Sequence, residues 1–227
     1  MKAQNATGES RNWRSDSGRT LIETLIVVVI ATLLASVALP QMISTRRLIR
    51  STSLAREVAT QLRYTRQQAM SQRQAFTFQY DNSNATIKIF DHNNVNNVTS
   101  SCNITGLAVL SATGYPNTAC TTTVVTIPLA TGAGLPASEV SYGIPTGISS
   151  AALDDGNTMT ALSGSVVNIT FQSDGTVLDT AGNYAKPTLF FYNNLIPTQT
   201  ASAISVLGAA GRIRVWRYST SASKYAE

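Results

Sequence analysis

The chain is polar through residue 17, then apolar from Leu21 to Leu39. That run is 19 residues long, and Glu23 is its only charge. At about 1.5 Å per residue it would span about 28 Å, close to the roughly 30 Å hydrocarbon core of a bilayer. The pattern therefore predicts a membrane-spanning helix. Pro40 follows at once; it removes one helical hydrogen bond and predicts a bend or a loosened turn there. Past it the pattern becomes amphipathic. Leu54, Ala55, Val58, Ala59, Leu62, Ala69 and Met70 recur at three- and four-residue spacings, a stripe that would pack on a head with arginines on the other side. Arg19 to about Gln74 thus reads as one long helix. Residues 19–45 form its transmembrane half and 46–74 its amphipathic half.

From residue 75 the apolar positions fall into short runs separated by turn residues. Phe76–Tyr80 and Thr86–Phe90 read as a hairpin across Asp81–Ala85. Thr122–Ile127, Val166–Phe171 and Thr188–Tyr192 read as further strands, with a turn at Gln172–Thr176. Ala203–Leu207 and Arg212–Arg217 read as a final pair joined by Gly208–Gly211. Residues 91–165 are long and loop-rich. The fold class is therefore α+β: a long N-terminal helix packed on an antiparallel β-sheet head over 75–227, about 150 residues with a core of its own.

Composition narrows the function. One histidine, no nucleophile motif and no phosphate-binding glycine loop leave an enzyme unsupported, and nothing calls for a cofactor. Cys102, Cys120 and His92 do not make a zinc set. Asp154-Asp155-Gly156-Asn157 clusters hard oxygen ligands of the kind that hold Ca²⁺, but reads first as a plain turn. No metal site is expected. Charge is segregated along the chain. Arg46, Arg47, Arg50, Arg56, Arg63, Arg66 and Arg73 face the single acid Glu57 in the helix. Lys88 and Lys186 face seven acids between Ala75 and Gly211, and Arg212, Arg214, Arg217 and Lys224 face Glu227 at the end. The result is a basic stem, an acidic head and a basic tail.

A carboxylate near a bilayer core costs on the order of 2–3 kcal/mol or more, so Glu23 needs a partner. No basic residue lies within its own apolar run. The partner is then the chain's own start or another molecule, unless Glu23 is a stray acid in an ordinary single-span anchor. A secretory signal puts its apolar region before the cleavage site; here the apolar region follows Gly18. Gly18, Glu23 and Pro40 at these spacings resemble the type IV prepilin signature. The resemblance implies a leader over 1–18. A prepilin peptidase would cut between Gly18 and Arg19 and methylate the new amine of Arg19. Glu23, then the fifth mature residue, would pair with the amine of a neighbouring subunit. The helix would pass from the inner membrane into a filament core. The partners implied are other pilins or pseudopilins and the inner-membrane assembly platform, with the head in the periplasm and then on a surface pilus. One departure is Arg19, where the family usually carries Phe.

The head resembles the FimT/GspH-type minor pilins and pseudopilins in two places: Ile169-Thr170-Phe171-Gln172-Ser173-Asp174-Gly175-Thr176, and the closing Gly211-Arg212-Ile213-Arg214-Val215. On a strand Arg212 and Arg214 would share one face with Trp216, with Arg217 just beyond and Lys224 on a flexible end. Guanidinium groups fit phosphates and an aromatic can stack on a base or hold an arginine. In the FimT-like branch such arginines are associated with DNA capture for uptake. Carried over, Arg212 and Arg214 would contact DNA phosphates without sequence specificity, with Arg217 and Trp216 as further candidates from their place on the strand; the alternative is that the arginines pair with head acids such as Asp174 or Asp179. The reading is a minor type IV pilin, with a type II secretion pseudopilin and a membrane-tethered DNA-binding receptor as rivals.

For a head outside the cytoplasm, Cys102 and Cys120 read as a disulfide rather than two thiols. It would close a loop of about 18 residues and contribute roughly 3 kcal/mol. Non-reducing peptide mapping of the mature protein should recover Cys102 joined to Cys120; alkylation of both as free thiols would refute the pairing.

Overall fold

The structure is a computed structural model, and it describes residues 20–92, 122–129, 136–148, 160–179 and 183–227. It divides into two units, Met1–Ile43 and Ser44–Glu227. Helix α1, Leu21–Gln72, runs through both and carries Pro40 within its length.

In the first unit the side chains from Leu21 to Ile43 are exposed throughout, including Leu25, Ile26, Val28, Leu33, Leu34 and Val37. The few hydroxyls are satisfied within the helix. Thr24, Thr32 and Ser36 each donate to the backbone carbonyl three residues earlier, Leu21, Val29 and Leu33, at 2.7–2.9 Å. An apolar surface of this extent, with its polar groups folded back on the backbone, suits a helix in a non-aqueous surrounding.

In the second unit the remaining length of α1 is the spine of the core. Leu54, Ala55, Val58, Ala59, Leu62 and Ala69 are buried, as the stripe predicts, and Ser51 and Thr65 join them. Met70, placed in the stripe by its spacing, is 38% exposed. It lies at the stripe's edge, with its thioether against Gly175. Leu54, Val58 and Leu62 are each worth about 1.5–3 kcal/mol of burial.

Ten strands follow: β1 Phe76–Asp81, β2 Thr86–Asp91, β3 Thr122–Pro128, β4 Val140–Tyr142, β5 Thr160–Ala161, β6 Val166–Phe171, β7 Pro187–Asn193, β8 Ser202–Leu207, β9 Arg212–Ser219 and β10 Lys224–Ala226. They form two sheets rather than one. The first has order β3-β2-β1-β6; the second has order β10-β9-β8-β7-β4 with β5 beside β7. Every pairing is antiparallel except β5 with β7. The β1–β2 hairpin pairs Asp81 with Thr86, one residue tighter than the sequence suggests. Asp81 stabilises that turn by accepting from the amides of Ser83 and Asn84. Lys224, expected on a flexible end, sits in β10, held there by pairing with β9 and by the buried Tyr225.

Phe76, Phe78, Tyr80, Ile87, Ile89, Ile169 and Phe171 of the first sheet share one core with Leu189, Phe191, Ile204, Val206 and Ile213 of the second and with α1. Tyr80, Tyr142 and Phe191 bridge the sheets with ring centroids 5.1–5.4 Å apart. The second sheet is apolar on its other face too. Phe190, Ala203, Trp216 and Tyr225 gather there with Ile148 and Ala201.

The first sheet also buries polar groups. Thr77 bonds His92 Nε2 at 2.7 Å and Thr170 Oγ1 at 2.8 Å, and Gln79 donates to Asn168 at 3.0 Å. Burial lowers the pKa of His92 from 6.5 to about 4. The unfolded chain therefore takes up this proton before the folded one does, and stability falls as pH drops from about 6.5 toward 4, by on the order of 3 kcal/mol. Asp91, whose pKa burial raises, acts in the opposite sense. Urea titrations of His92→Gln at pH 7 and pH 4.5 should show a clearly smaller acid loss than the parent; an unchanged loss would contradict a buried neutral imidazole.

Candidate functional site

The residues singled out by the sequence fall in both units. In the first, Glu23 lies in the opening turn of α1 and is exposed. Among the described residues no basic group pairs with its carboxylate. It is thus the one charged group of the apolar stretch, and its demand is not met within the described chain. Gly18, Arg19, Cys102, Cys120 and the Asp154–Asn157 segment lie outside the described residues.

In the second unit the two family-like segments meet. Gly175 closes the turn after β6, with its amide donating to Gln172 O at 2.8 Å, and Gly211 opens β9. Both adopt left-handed backbone, at φ +79° and +59°. Arg66, from α1, reaches between them: its Nε donates to Gly175 O at 3.3 Å and its Nη2 to Ala210 O at 3.0 Å. A side chain on Gly211 would collide with Gly175 O and with the Arg66 guanidinium. Glycine is required here by both conformation and space. The conspicuous glycines of the two motifs therefore fasten the helix to the β8–β9 hairpin, and Arg66, which the sequence reading left among the stem arginines, is the fastener. Its place one turn beyond Leu62 on the buried stripe was the available signal.

Strand β9 splits its arginines between two faces. Ile213 is buried and Val215 packs beside it on the core side, and Arg217 follows them there. Arg212, Arg214 and Trp216 alternate onto the other side, as expected. That side is not open, because Trp216 is only 2% exposed and donates from Nε1 to Ser205 Oγ at 2.7 Å. Burial leaves no indole face for a base to stack on. The Arg214 guanidinium lies 5.5 Å from the ring centroid and also contacts Glu227 Oε2 at 3.4 Å. Trp216 holds an arginine rather than offering itself to a ligand. Arg212 remains exposed.

Neither Asp174 nor Asp179 takes the arginines. Burial opposes the charged form of Asp174, but hydrogen bonds from the Thr176 hydroxyl and amide outweigh it and hold its pKa below the usual carboxylate range. Asp179 accepts from the Asn183 amide at 2.8 Å. Elsewhere Arg47 pairs with Glu139 at 3.4 Å, and Ser51 donates to Thr200 O at 3.2 Å, two further ties of α1 to the head. No cluster of metal-ligating side chains occurs among the described residues.

No known protein-family profile matches the chain, and no curated protein does. Among solved structures, two crystal forms of the Pseudomonas aeruginosa type IV minor pilin FimU are similar. One superposes with a TM-score of 0.41 at 19% identity, covering 78% of this chain and 92% of that one. The other gives 0.40 at 18% identity, covering 78% and 97%.

Replacing Gly211 by alanine should destabilise the head by about 2 kcal/mol, from the left-handed backbone and the loss of Arg66 bonds. Thermal unfolding of Gly211→Ala checks this; a melting temperature within a degree of the parent would show that the junction is not needed.

Proposed function

We propose that the chain is a membrane-anchored subunit of a pilin-like filament, a minor type IV pilin, whose head is displayed by helix α1. The observation that carries this reading is the helix itself. Its first part is apolar, exposed and marked by a lone carboxylate, and its last part is built into the core of an α+β head. A plain anchor needs no acid; an assembling helix gains from one. Glu23 meeting the N-terminal amine of a neighbouring subunit would match charges where water is scarce, with this chain's own amine freed and methylated at Arg19 by the prepilin peptidase. The assembly platform and the other pilins or pseudopilins are the partners this reading requires. The same helix would serve a type II secretion pseudopilin.

Nucleic-acid capture by the final strand is a narrower reading. Only Arg212 of the predicted quartet is exposed on its side of β9 without a described partner, so a tethered DNA receptor has little to work with on that face.

Glu23→Ala separates assembly from anchoring. The variant should still be processed and found in the membrane fraction, and its amount in sheared filaments should fall at least about tenfold. Incorporation at the parental level would sink the assembly role.

A further inference from the structure

On the core side of β9, Arg217 looks out over a cleft that the sequence did not suggest. The cleft has a volume of 470 Å³ and lies within the second unit, between α1 and the end of the second sheet. Arg56 and Arg63 line it from the helix and Arg217 from the strand. Arg56 and Arg63 are seven residues apart, two helical turns, which places them about 10 Å apart along one side of α1. The hydroxyls of Ser51, Thr52, Thr60, Thr200 and Ser202 also line it, each already donating to a backbone carbonyl, which leaves the guanidiniums as the donors available to a ligand. Among the described residues Glu227 is the one acid, and it is shared with Arg214. Among the described residues no aromatic side chain lines the cleft.

Three guanidinium groups with one carboxylate leave a net positive cleft. All three arginines are exposed, and among the described residues none is ion-paired. Guanidinium forks are the groups that recognise phosphate oxygens, and guanidiniums spread over about 10 Å lie farther apart than one phosphate can bridge. The lack of an aromatic leaves nothing to read a base. We propose that this cleft is an anion site that takes a chain of phosphate groups, with Arg56, Arg63 and Arg217 as its contacts. The site stands apart from the assembly role of Glu23 and does not depend on it.

The test uses the full chain in detergent and measures binding of tripolyphosphate by calorimetry, with single inorganic phosphate beside it. Tripolyphosphate should bind more than about tenfold tighter than phosphate, and its affinity should fall as salt rises. Arg56→Gln, Arg63→Gln and Arg217→Gln should each weaken it by about tenfold, while Arg212→Gln, on the other face of β9, should leave it unchanged. Glu227→Gln should strengthen binding severalfold, a change of sign that lost structure cannot produce. A short single-stranded oligonucleotide that displaces tripolyphosphate would identify a phosphodiester chain as an occupant; failure to displace it would confine the site to free oligophosphates. No binding of tripolyphosphate, equal affinity for single phosphate, or binding indifferent to the three arginines would overturn the proposal.

Discussion

A helix of 52 residues with an apolar first half must find cover for that half or forgo water, and the head covers α1 only from about Ser51 onward. Where the head does cover it, the small and branched residues Ala55, Val58, Ala59 and Leu62 are buried in one core with the two sheets. Where it does not, Leu21 to Ile43 expose almost nothing but aliphatic surface, and even the serine and threonine hydroxyls are turned back on the backbone. One element is thus asked to be soluble-protein core and lipid-compatible surface in succession. The isolation of Glu23 follows from that division.

The head is attached to its helix by a few directional contacts laid over this apolar seam. Arg47 meets Glu139, Ser51 meets Thr200, and Arg66 is clasped by the carbonyls of Gly175 and Ala210. The last is the most specific. It needs two left-handed glycines from segments far apart in sequence, and it brings the turn after β6 and the start of β9 onto the same guanidinium. A hydrophobic seam alone would tolerate sliding by a turn; a clasp with fixed donors and acceptors does not.

The helix and most strands were legible because their periods are strong: 3.6 in the amphipathic half of α1, and compact apolar runs for β1, β2, β6, β7, β8 and β9. What was hidden had physical reasons. β4, β5 and β10 are two or three residues long, too short for any period, and exist because a neighbouring strand offers its edge. The alternation of Arg212 to Arg217 correctly put Trp216 beside Arg212 and Arg214, but alternation says nothing about which face meets water when a sheet is covered on both sides. Trp216 is therefore core, and Arg217, which looked like a companion of the other two, faces the helix. The cleft was invisible for the same reason: Arg56 and Arg63 read as solvated stem charges until β9 was seen to bring Arg217 opposite them.

The central claim is that Glu23 finds its partner on a neighbouring subunit. Zero-length carbodiimide coupling in assemblies where this chain carries a heavy isotope label and the other subunits do not, or where light and heavy copies are mixed, tests it directly, by mass spectrometry of the linked peptides. The account predicts Glu23 joined to the N-terminal amine of a different subunit, read as a light–heavy linked pair. Links found only within single chains, or a Glu23 that couples to no amine in assembled material, would contradict it.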